Sequence, residues 1–123
     1  MLKIKRILYS IIAAIFSFIF IGCTATHDDP EYLYKQNPKL DMFVYEGIAY
    51  VNASNLEWVA ELELTPLSLL GLIEETRVSN DFQSFSATKL EVGIEVYLSN
   101  ERDDIFLVNI GGGFIPYIAW IEG

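Results

Sequence analysis

Met42-Phe43-Val44-Tyr45-Glu46-Gly47-Ile48-Ala49-Tyr50-Val51-Asn52 is the stretch that decides the fold. Two short aromatic and aliphatic runs flank Glu46-Gly47, and a two-residue link between such runs predicts a β-hairpin. Gly47 accepts the positive φ that such a turn needs, whereas Glu46 is a poorer choice than Asn or Asp. The register that follows sets Phe43 opposite Tyr50 and Tyr45 opposite Ile48. Side chains alternate along a strand, so these four share one face, and Met42, Val44, Ala49 and Val51 share the other. Both faces are apolar, which predicts a hairpin covered on both sides.

A second hairpin is expected near the C-terminus, where Gly111-Gly112-Gly113 separates 105–110 from 114–121. Pro116 has no N–H to donate, so this last strand is expected at a sheet edge or with a break. Gly93 predicts a bend before a strand over 94–98, with Ile94, Val96 and Leu98 on one face and Glu95 and Tyr97 on the other. Trp120 is expected to seal one end of the core.

Between these strands, Ser54-Asn55-Leu56-Glu57 fits a capping box, with Asn52 as a rival cap. Leu56, Val59, Ala60 and Leu62 recur at helical spacing and predict a short helix that Thr65-Pro66 ends. Trp58 lies at the border of that stripe, as a packing residue or as an aromatic platform for a ligand. Leu67, Leu69 and Leu70 are expected to be buried; exposed, they would mark a partner surface. An extended stretch over 70–78 follows, then a polar loop over 79–88 in which Phe82 and Phe85 are expected to anchor to the core. The order ββ-α-β-β-ββ predicts an α+β domain: a mostly antiparallel, curled or barrel-like sheet with one short helix.

Upstream, Lys3, Lys5 and Arg6 precede an apolar run over 7–22, interrupted by Tyr9, Ser10 and Ser17. At about 1.5 Å per residue it covers roughly 24 Å, short of a ~30 Å bilayer core and well sized for an export signal. Phe20-Ile21-Gly22-Cys23 closes the run and resembles the lipobox of bacterial lipoproteins, departing from it only at Phe20, where an aliphatic residue is usual. The resemblance implies cleavage between Gly22 and Cys23 and a diacylglycerol thioether on Cys23. Two or three acyl chains, at about 0.8 kcal/mol per buried CH₂, anchor stably. The competing reading is an uncleaved anchor with an incidental thiol. The expected organisation is a signal peptide over 1–22, a lipid-anchored flexible tether over 23–41, and a domain over 42–123 on the outer face of the cell membrane.

Cys23 is the sole cysteine, so the domain has no disulfide or thiolate metal site. All seventeen acidic residues follow it, against five basic ones, a formal charge of −12. That balance argues against nucleic-acid partners, whose phosphates require Lys and Arg.

Val44-Tyr45-Glu46-Gly47-Ile48-Ala49-Tyr50, Asn52-Ala53-Ser54-Asn55-Leu56-Glu57-Trp58-Val59, Ala87-Thr88-Lys89-Leu90-Glu91-Val92-Gly93-Ile94-Glu95-Val96-Tyr97 and Ile115-Pro116-Tyr117-Ile118 resemble small lipoproteins of spore-forming Gram-positive bacteria. The resemblance implies the same address and one compact domain, and it brings no catalytic residues.

His27 is the only histidine and lies in the expected tether, which excludes a Ser-His-Asp triad or a histidine metal site from the domain. Glu101, Asp103 and Asp104 share a turn, as a solvated turn or as a calcium site without the spacing of an EF-hand. The triple glycine lacks the Lys and Ser/Thr of a phosphate loop. No catalytic, cofactor or metal residue is therefore expected. The function expected is a non-catalytic binding or accessory module of the cell envelope, with an unidentified protein or small-molecule partner. The alternatives are a small envelope hydrolase, which needs two carboxylates about 5–10 Å apart, and an extracytoplasmic metal or small-ligand sensor.

Overall fold

The protein's computed structural model describes residues 29–121. The leader, the Gly22–Cys23 junction and His27 lie outside the described residues.

The opening hairpin forms in the expected register. Strand β1 (Met42–Tyr45) pairs antiparallel with β2 (Ile48–Asn52), Phe43 opposite Tyr50 and Tyr45 opposite Ile48. Glu46 and Gly47 take φ of 49° and 78°, the two positive angles of a type I′ turn. Both hairpin faces are covered. Phe43 and Tyr50 enter the main core, while Met42 and Ala49 pack with Leu33 on the other side.

Leu33 belongs to a seven-residue helix, α1 (Pro30–Gln36), within the stretch expected to be tether. Asp29 caps it by accepting from the Glu31 N–H at 3.1 Å, and Pro30 supplies a preset φ at the first turn. Residues 30–36 are therefore helical within the stretch expected as tether, and Leu33 pins that stretch to the hairpin. The helix buries only Pro30 and Leu33, with Tyr34 and Leu40 packed beside Leu33, so no apolar stripe marks it in the sequence.

The helix expected after Ser54 is shorter than its pattern. It forms one turn, α2 (Glu57–Ala60), preceded by Leu56 with no side-chain cap. Ser54 instead donates from its N–H and Oγ to Asn52 Oδ1, at 2.9 and 2.6 Å. This local bond competes with capping. Val59 alone of the stripe is buried, against Ala53 and Ile105, while Leu56 and Leu62 are exposed. Among the described residues, two short helices thus accompany the sheet rather than one.

The remaining strands are β3 (Pro66–Leu72), β4 (Glu95–Ser99), β5 (Ile105–Ile110) and β6 (Gly113–Ala119). They extend a six-stranded antiparallel sheet in the order β1-β2-β6-β5-β4-β3. The glycine hairpin is as expected: Ile110 pairs with Gly113 across Gly111 and Gly112, both at positive φ. The sheet curls, because one core cluster collects Phe43, Tyr50, Val96, Phe106, Val108 and Tyr117, with Leu70 of β3 packed against it. Tyr50 and Phe106 stack with centroids 4.3 Å apart.

A short piece of chain joins the two ends of the curl. Over 85–88, Ser86 O accepts from the Val44 N–H at 2.9 Å and the Thr88 N–H donates to Met42 O at 2.9 Å, both on β1. On its other flank, Phe85 O accepts from the Glu74 N–H and the Ala87 N–H donates to Glu75 O, each at 2.9 Å, where the chain continues from β3. Phe85 anchors this piece as expected. Its ring lies over Gly71, where an added Cβ would sit 2.4 Å from the ring. Phe82 packs near Tyr34, with centroids 6.3 Å apart.

Two placements differ from the sequence reading. Pro116 lies in β6, an interior strand between β2 and β5. Its carbonyl accepts from the Ala53 N–H at 2.8 Å. A strand residue points its nitrogen and carbonyl to the same flank, so the missing N–H faces the end of β2, where pairing stops at Asn52–Tyr117. The β5–β6 ladder is unbroken from Ile105–Ile118 to Ile110–Gly113. Trp120 does not seal the core. Its side chain is exposed while its N–H donates to Ala49 O at 2.8 Å.

Candidate functional site

Asp41 is the hub of a long-range side-chain network at the hairpin. Its backbone carbonyl accepts from the Asn52 N–H at 2.9 Å. Its Oδ2 accepts from Asn52 Nδ2 at 3.0 Å and from the Tyr117 hydroxyl at 2.8 Å. Thr88 closes the neighbouring turn, donating from Oγ1 to Leu40 O at 2.7 Å and accepting from the Met42 N–H at 3.1 Å. Asp41 Oδ1 is buried and has no protein partner among the described residues.

Tyr117 is fully buried, and burial, then the Asp41 charge and its hydrogen bond, push the phenol above its ordinary range. It therefore stays protonated and a donor at neutral pH. The network fixes the start of β1 against β2 and β6. A cleft of about 260 Å³ opens beside it, lined by Lys39, Asp41, Asn52, Ser54 and Asn55 among others. Asp41 is the only carboxylate in that lining. Nothing in the sequence singles out Asp41. Its signal is an Asp at the start of an apolar strand, which reads as the polar edge of a linker.

A larger open cleft of about 490 Å³ lies at the entry to β4, lined by Glu91, Val92, Glu95, Asn109 and the last residue of β3, Leu72, among others. Its two carboxylates are engaged. Glu91 meets Arg77 at 3.3 Å, and Glu95 accepts from Asn109 Nδ2 at 3.0 Å.

The acidic turn does not converge. Glu101 accepts from the Thr65 N–H and hydroxyl, at 2.8 and 2.6 Å, and these bonds hold its carboxyl below the ordinary range. Asp104 takes a two-pronged contact from Arg102, both distances 2.8 Å, which lowers its pKa in the same sense. No group of three or more His, Cys, Asp or Glu placed to hold a metal occurs among the described residues. Trp58 is exposed rather than packed at the helix edge, and the Arg102 guanidinium lies 5.2 Å from its ring centroid.

Two of the three leucines expected to be buried, Leu67 and Leu69, are instead on the surface. Leu67, Leu69 and Leu72 are 60%, 51% and 45% exposed along β3; only Leu70 packs against the core. Leu69 pairs with Tyr97 and Leu72 with Glu95, placing them beside the outer side chains of β4. Tyr97 in turn meets Phe114 edge-on, with centroids 5.5 Å apart, and Phe114 is itself exposed. β3 ends the sheet order, and among the described residues no other strand pairs with its free flank.

No protein-family model matches this chain, and no curated protein or solved structure matches it. No helix among the described residues is long and apolar enough to cross a membrane.

Proposed function

We propose that the protein is a lipid-anchored module on the outer face of the cell membrane, binding an envelope partner without catalysing a reaction. The observation that carries the binding role is the exposed apolar surface of β3 and its neighbours: Leu67, Leu69, Leu72 and Phe114. Isolated surface leucines are ordinary, but a contiguous apolar strip at an unpaired sheet edge is a recognised partner surface. The Phe20-Ile21-Gly22-Cys23 signal supports the address. Tyr117, a phenol that burial keeps protonated, supports a structural role for the Asp41 network.

A photoreactive residue at position 69, in intact cells, should crosslink a discrete envelope partner, and failure under every growth condition would count against binding. Mass spectrometry of the membrane fraction should find an acylated N-terminal Cys23, and Cys23→Ser should abolish the modification. An unmodified chain still beginning at Met1 would sink the anchor reading.

A further inference from the structure

We propose that β3 takes up an extended peptide as an added strand, the peptide having an apolar centre and Lys or Arg at both ends. This rests on the binding-module reading above. Over 66–72 the outer flank of β3 has no strand partner among the described residues, and such an edge offers a ladder; just beyond it the Glu74 N–H on the same flank donates to Phe85 O, so an added strand pairs no further than Leu72. From Thr65 to Ile73 there is no charged residue, so the lysines or inward charges that usually block edge pairing are missing. Pro66 sits only at the first position, and the register shifts end by Gly71, leaving Gly71–Val96 and Leu72–Glu95 in regular pairs. Leu69 and Leu72 then flank the outward side chains of an added strand.

Charge selects the occupant. Glu101 is bonded to Thr65 at one end of β3, and Glu74 and Glu75 follow Ile73 at the other. The nearby cations are already engaged, Arg77 with Glu91 and Arg102 with Asp104. A second copy pairing through β3 would set acidic end against acidic end in either direction. A strand with cationic ends meets a complementary charge at each.

The probe is a nine-residue synthetic peptide of alternating valine and threonine with two lysines at each end, added to the full-length protein in nonionic detergent. Backbone amide shifts should change along 66–72 and in β4, and affinity should fall about tenfold between low salt and physiological salt or above. A matching peptide with glutamate ends should not bind. Leu69→Lys with Leu72→Lys, both at exposed positions, should lose binding while the rest of the spectrum stays unchanged. Equal binding of the glutamate-ended peptide, shifts confined to another surface, retained binding by the double variant, or a β3-dependent dimer would each overturn the proposal. A cellular partner whose crosslinks lie away from β3 would sink this assignment and leave the binding role standing.

Discussion

Tyr117 reaches 76 residues back along the chain to Asp41, and that bond joins the last strand to the start of the first. Tyr117→Phe removes one of two donors to a largely buried carboxylate oxygen, so it should cost about 1–2 kcal/mol in urea unfolding. The same phenol sets an alkaline limit. Its folded pKa is raised, so its contribution is fully present below about pH 10, the unfolded value. The contribution is then lost as the pH rises further. The alkaline fall in stability should be shallower in Tyr117→Phe, and an unchanged slope would show that Tyr117 titrates alike in both states. Gly71 belongs to the same scale. A methyl there meets the Phe85 ring, and Gly71→Ala should cost about 1–3 kcal/mol by the same measurement.

Among the elements, those punctuated by glycine were legible in the sequence. Gly47 and Gly111-Gly112 both define two-residue turns, and each fixes the register of the strands it joins. α1 was hidden because a helix that buries one leucine leaves no periodic stripe. α2 was overread because three of its four stripe residues find nothing to pack on. Pro116 misled because the rule against proline inside a sheet holds only where the missing N–H meets a partner strand. Leu33→Ala should cost about 2–3 kcal/mol and loosen the outer face of the hairpin, whereas a free tether would tolerate it. The β4–β5 turn gives an acid-side signature. Glu101 and Asp104 have lowered pKa values, so their contacts stabilise fully above the ordinary carboxylate range and are lost as the pH falls below it through the lowered folded values. In Arg102→Ala the Asp104 titration, followed by carboxyl NMR, should move back up toward that range.

For the whole molecule, seventeen acids meet five bases after Cys23, and self-repulsion opposes the compact state. Added sodium chloride should raise the melting temperature by a few degrees, on the order of 1 kcal/mol for a domain of this size. A flat response would mean that the acids are spread too far apart to repel. The surface that carries the proposed function was only half legible at this scale. Composition marks the leucines of 67–72 as apolar, but whether a strand lies at the rim or under a neighbour depends on the order in which distant strands assemble. The Asp41 network was illegible for the same reason, since its partners come from β2 and β6.

Helix α1 also sets a leash length. With an acyl group on Cys23, only six chain steps separate the lipid from Asp29, where the described fold begins. At about 3.5 Å per step that is roughly 20 Å fully stretched, against roughly 65 Å had the chain run free to Met42. On the proposed anchor the domain would ride close above the headgroups, and its partner would bind at the bilayer surface.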